Sequence, residues 1–248
     1  MPEDTMNTLQ AQWERLYRAT ATTQPLPDTP DAGLLAPDGS VRALVLELAR
    51  PAHWDTLSVL WRGVQTELEL PAPAIAVNGV DGYQLWFSLA RAVAAPQARD
   101  FLQALCLRYL PAVEAPRIRL LPGLHGALTQ HAHPVPMLHA DTGRWSAFVA
   151  PDLAAIFSDE PWLDVSPSTE AQAGVLCRLA CITPDAFDTA RRRLQPTAPA
   201  AVSADNVART AAQQDQQDLE PRRFLQDVLN DPGIALQLRI EAAKALLR

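Results

Sequence analysis

The stretch AIAVNGVDGYQLWFSLA, residues 74–90, consists of two apolar runs folded back on each other. Residues 74–77 are short and wholly apolar, and residues 83–89 are rich in aromatic and branched side chains, so both suit strands. Between them Asn78-Gly79-Val80-Asp81-Gly82 holds the Asn-Gly and Asp-Gly pairs that favour tight turns, which predicts a β-hairpin. Upstream, VRALVLEL at 41–48 predicts a strand stopped by Pro51. Residues 53–68 place Trp54, Leu57, Leu60, Trp61, Val64 and Leu68 on one helical face. Downstream, 96–109 predicts a helix with Pro96 in its first turn, and 117–121 and 145–149 predict strands. Strand, helix, hairpin, helix and strand in that order imply an α+β fold, a mixed sheet with helices packed on it.

The flanks divide the chain further. Residues 1–40 hold an amphipathic helix at 8–20, with Leu9, Trp13, Leu16 and Tyr17 at helical spacing, then a proline-rich linker from 23. The α/β domain spans 41–150. A helical extension, 151–195, contains predicted helices at 151–157, 168–180 and 184–194, the last opened by Thr183 as cap and Pro184 just inside. Residues 196–218 have the composition of a flexible linker, and 219–248 that of a helical hairpin around Asn230-Asp231-Pro232-Gly233.

Composition sets limits on function. The 248 residues suit one domain with appendages, and 48% hydrophobic content excludes wholesale disorder. A net charge of -7 gives no bulk field toward phosphate backbones, so a nucleic-acid role needs a local basic surface. Three cysteines, Cys106, Cys177 and Cys181, cannot build a disulfide framework or a four-thiolate zinc site. The acidic opening MPEDTMNTLQ lacks the pattern of a secretory signal, and no apolar run approaches the roughly 20 residues of a membrane span. The expectation is a cytoplasmic protein without membrane contact.

Four segments carry a family resemblance: VLELARP at 45–51, the hairpin at 74–90, RIRLLPG at 117–123 and HADTGRWSAFV at 139–149. Together they resemble the archaeo-eukaryotic primase superfamily, the primase-polymerases, over residues 41–149. The family pattern is a strand ending in D-x-D, a glycine turn followed by histidine, a hydrophobic-Asp motif, and an R-x-P segment leading to H-x-x-T-G. This chain departs from it at the chemistry. The first motif reads Leu46-Glu47-Leu48-Ala49, the histidine after the turn is Gln84, and the third motif falls at Val113-Glu114. Two-metal nucleotidyl transfer needs several carboxylates converging on a cation pair. The remnant catalytic positions are therefore Glu47, Gln84 and Glu114, and no cofactor is expected.

The resemblance implies a nucleotide-binding groove lined by Asn78, Gly79, Gly82, Gln84, Arg119 and His139. The expected function is nucleic-acid binding, or assembly of a replication or defence complex, in a mobile genetic element without catalysis; single-stranded nucleic acid is the implied ligand. An active primase-polymerase is the enzymatic rival, in which Glu47 and Glu114 would share Mg or Mn. A purely protein-binding adaptor is the third. By alternation alone, Glu47 is expected on the solvent side of its strand, paired with Arg42 or Arg119.

Other signals are weaker. His125, His131, His133 and His139 lie close together with Asp141 behind, and imidazoles at i, i+2 can share a divalent ion. Pro134 and Pro136 make this a loop with exposed histidines, and no metal site is expected. Hydrolase elbows, P-loops, zincin and Rossmann fingerprints are all missing from the sequence. Cys177 and Cys181, at i and i+4 of the predicted 168–180 helix, fit one apolar helix face. Asp159-Glu160 beside Pro161-Trp162 fits a solvated acidic loop, and Arg191-Arg192-Arg193 complements a helix dipole. The tail FLQDVLNDPGIALQLRIEAAKALLR, 224–248, resembles helical tails of phage and mobile-element proteins, small terminase subunits among them. Its apolar face, Phe224, Leu225, Val228, Leu229, Leu236, Ile240, Ala243 and Leu247, suits a protein partner.

Overall fold

Branched and leucine-rich residues set strand β1, Ser40–Ala49, in which residues 43–48 are all buried. The computed structural model describes residues 2–19, 34–125 and 128–195. After β1 come α2 (Trp54–Thr66), β2 (Ala74–Val77), β3 (Gly82–Ala94), α3 (Ala95–Tyr109) and β4 (Ile118–Leu121). The hairpin β5 (Gly123–His125) with β6 (Leu128–Gln130) follows, then the ribbon β7 (Leu138–His139) with β8 (Arg144–Trp145). Strand β9 (Ala147–Val149) returns to the main sheet, and the chain ends in α4 (Thr169–Leu176) and α5 (Pro184–Leu194). The N-terminal helix α1 spans Pro2–Tyr17.

The main sheet has the order β4-β1-β3-β2-β9, and every pairing in it is antiparallel. The expected mixed sheet is thus corrected. Two split crossovers, β1-α2-β2 and β3-α3-β4, leave an antiparallel strand between each parallel couple, the ferredoxin-like β-α-β-β-α-β plan. Helices cover both faces. Leu44, Leu46, Leu48, Leu85 and Phe87 meet α2, α3 and α5 on one side, where Phe101 and Phe187 rings lie 4.9 Å apart. On the other, Val45, Trp86 and Phe148 pack with Trp13, Leu16 and Tyr17 of α1 and Leu176 of α4. Arg42 secures α1 by donating to the carbonyls of Arg15 and Arg18 while also holding Leu89 O.

Several element boundaries differ from expectation. The 151–157 helix is a single 3-10 turn, Ala154–Phe157, and the 168–180 helix ends with Leu176. Cys181 therefore lies beyond that helix, beside Ser88, and does not share a face with exposed Cys177. The 145–149 strand divides, because Trp145 pairs with Leu138 in the ribbon while residues 147–149 join β2. The expected cap holds, Thr183 Oγ1 accepting from Ala186 N at 3.3 Å, and Ser168 Oγ caps its own helix by accepting from Ala171 N at 3.3 Å. Of the proline-rich linker, Leu34 is fully buried and Leu35 bridges to Val41; residues 20–33 lie outside the described residues. So do the predicted linker at 196–218 and hairpin at 219–248.

Among the described residues no helix is long and apolar enough to cross a membrane.

Candidate nucleic-acid interface

Register places five strand ends together. Ala49 faces Gly82, Val77 faces both Tyr83 and Ala147, and Leu48 faces Ile118. The turn after β2 lies at this end of the sheet. Asn78 Oδ1 accepts the N–H groups of Val80, Asp81 and Gly82, each at 2.9 Å, and its Nδ2 donates to Asp81 Oδ1. Gly79 N donates to Pro161 O. These donors could otherwise cradle an anion, but here the protein's own oxygens take them. His139 Nε2 lies 2.8 Å from Asn78 O, so the imidazole braces the turn. Gly79 sits at φ +80, and an added Cβ would meet His139 Cδ2 at 2.5 Å.

Glu47 stands one residue row inside that end. It is 8% exposed, which corrects the solvent-side expectation, and of the two proposed partners it takes Arg119, at 3.6 Å. Its Oε2 accepts from Gln84 Nε2 at 2.7 Å, and Gln84 Oε1 accepts from Trp86 Nε1 at 2.8 Å. The sequence dictates this chain of bonds: Arg119, Glu47 and Gln84 are direct cross-strand partners on β4, β1 and β3. Gln84 has both ends of its amide engaged. Glu114 is exposed and precedes the 3-10 turn Ala115–Arg117 rather than joining this row. Among the described residues no group of three His, Cys, Asp or Glu is placed to hold a metal ion.

The histidines disperse. His131 is buried, with Nε2 2.9 Å from Ala43 O and Nδ1 accepting from Ala132 N, a correction to its expected exposure. His133 is exposed, and the side chain of His125 lies outside the described residues. Cys106 is half-buried, and its partial desolvation pushes its thiol up to about 12.

Sequence reasoning missed three side chains at the same sheet end. Trp162 is part of 161–163, which runs beside β8 through paired Trp145 and Leu163 backbone bonds. The Arg144 guanidinium lies 3.7 Å from the centroid of the Trp162 ring, and that of Arg50 lies 5.7 Å away. Arg50 also donates to Asp159 O at 3.1 Å. Arg144 directly follows HADTG and Arg50 is the next-to-last residue of VLELARP, so two of the three were inside quoted motifs. Their convergence on an indole 18 residues beyond β8's Arg144 depends on tertiary threading that no local pattern encodes. No protein-family model matches the chain, and no curated protein matches it in sequence.

Proposed function

We propose that this chain is a catalytically silent, primase-like module of a mobile genetic element. It binds single-stranded nucleic acid within a replication or defence assembly. The observation that carries the reading is the carboxylate of Glu47, held by Gln84 on one side and Arg119 on the other. An acid so engaged serves the sheet, and a catalytic cation pair needs several unengaged carboxylates beside it. The resemblance over residues 41–149 supplies the nucleic-acid part of the reading. At the sheet end the half-buried Arg144 and Trp162, with exposed Arg50 beside them, support it, since they offer local contacts that a net charge of -7 does not.

The test combines two assays on the full chain. Nucleotide incorporation is measured on primed and unprimed single-stranded templates with magnesium or manganese, beside fluorescence anisotropy with labelled 20-mer oligo(dT) and oligo(U). The expected result is no incorporation, with binding that weakens as salt rises. Incorporation that disappears in Glu47→Ala would make Glu47 a metal ligand and overturn the catalytic silence. Absence of both incorporation and binding would overturn the nucleic-acid reading and favour a protein-binding adaptor.

A further inference from the structure

The proposed nucleic-acid reading, on which this inference rests, leaves open where on the molecule a strand would sit. The turn at 78–82 is a poor host, because its N–H groups are occupied by Asn78 Oδ1 and Pro161 O. Gln84 is 6% exposed, with its amide engaged at both ends. The neighbouring group is different. The guanidinium of Arg144 is stacked on Trp162 at 3.7 Å, yet it makes no hydrogen bond or ion pair to any described residue.

The N–H donors of this half-buried arginine are left to solvent rather than to the protein. A guanidinium is a planar set of N–H donors with no acceptor capacity, and stacking satisfies none of those donors. What the indole does is fix the plane. A preorganised guanidinium loses little freedom on binding and presents one face for stacking and one edge for an anionic oxygen. Arg50, near the same ring, has a single bond, to Asp159 O, and adds a second cation. His139, directly opposite Arg144 across the β7–β8 ribbon, fixes the ribbon to the turn.

We infer that the Trp162–Arg144 stack, with Arg50 beside it, is a binding site for one nucleotide of a single strand. The base stacks on the guanidinium face turned away from the indole, and its phosphate takes the free N–H edge of Arg144. Unpaired bases stack readily on aromatic or guanidinium planes. A duplex, whose bases are already stacked, offers only its backbone. Asp141, Asp159 and Glu160 belong to the same loops, so the site has no extended positive track for a duplex to follow.

The test compares full-length wild type with Arg144→Ala, Arg144→Lys, Trp162→Leu and Arg192→Ala by anisotropy with the 20-mer oligo(dT) and oligo(U). Arg192 is an exposed arginine of α5, bonded within its own helix, and controls for loss of one charge. Circular dichroism melts confirm that each variant folds. Arg144→Ala and Trp162→Leu are expected to weaken binding about tenfold, the order of a lost stacking contact. Arg144→Lys, which keeps charge but loses the plane, is expected to stay several-fold weak, and Arg192→Ala to match wild type. Wild-type binding that Arg144→Ala leaves within about twofold would overturn this site while the parent reading stands. Equal losses in Arg144→Ala and Arg192→Ala would also overturn it, as a bulk-charge effect. Failure of wild type to bind either oligonucleotide would remove the parent reading and this site with it.

Discussion

Glu47 shows how a carboxylate is held within a sheet face. It lies almost wholly inside the sheet face, and a carboxylate there needs partners to offset its lost hydration. Gln84 Nε2 at 2.7 Å and Arg119 at 3.6 Å supply them, and Gln84 in turn receives the Trp86 indole. Removing the acid leaves a buried amide donor unpaired, whereas removing Arg119, whose side chain is 71% exposed, leaves an acid still bonded to Gln84. Glu47→Ala is therefore expected to lower unfolding stability by about 1–3 kcal/mol. Arg119→Ala, an exposed partner, is expected to cost less than about 1 kcal/mol. Urea titrations of both variants check the order. A Glu47→Ala protein as stable as wild type would show that the bond chain contributes nothing and that the acid is free for another task.

At the scale of elements, the hairpin between β2 and β3 joins sequence logic to tertiary contact. Its Asn-Gly and Asp-Gly pairs were legible as a turn, and the strands, helices and their order around it were legible as α+β. Periodicity locates Leu57, Leu60 and Val64 on one helix face because local spacing alone decides it. What could not be read locally is what the turn touches. Gly79 abuts the His139 ring and Ser146 N, while Gly82 lies against the Leu48 carbonyl, where an added Cβ would come within 2.1 Å. Likewise, the burial of Glu47 follows from α1 and the 131–137 segment covering its sheet face, with Ala132 and Val135 in that core, and alternation along β1 says nothing of that cover. Glycine at 82 is thus needed for close backbone approach, and at 79 for both its positive φ and its fit to His139. Gly79→Ala is expected to destabilise by about 1–2 kcal/mol from the left-handed backbone alone. Gly82→Ala is expected to cost more, because a carbonyl fixed in β1 must move. Thermal melts of the pair decide the ranking, and a Gly82→Ala melt at or above that of Gly79→Ala would contradict it.

For the whole molecule, the sheet is shared by two cores, so neither should unfold without the other. Trp13, Tyr17 and Trp86 belong to one core, while Trp54 and Trp61 pack against the other. The first core has a defect. Tyr17 is fully buried, and its hydroxyl has no hydrogen-bond partner among the described residues. An unsatisfied buried hydroxyl costs free energy, and its removal by Tyr17→Phe keeps the ring's contacts with Trp86 and Phe148. The variant is expected to gain about 1 kcal/mol. Burial also pushes the Tyr17 phenol above its ordinary value. A folded pKa above the unfolded one gives stability that is complete below about pH 10 and is lost as pH rises beyond it, where the unfolded phenol ionises. Tyr17→Phe should therefore widen its advantage above about pH 10, where only wild type carries this penalty. The measurement is urea unfolding at neutral and alkaline pH, followed by tryptophan fluorescence and far-ultraviolet circular dichroism. Coincident transitions moving together in the variant are the expected result. If fluorescence shifts while the dichroism midpoint stays fixed, α1 and its core open independently of the sheet, and the two faces are not one cooperative unit.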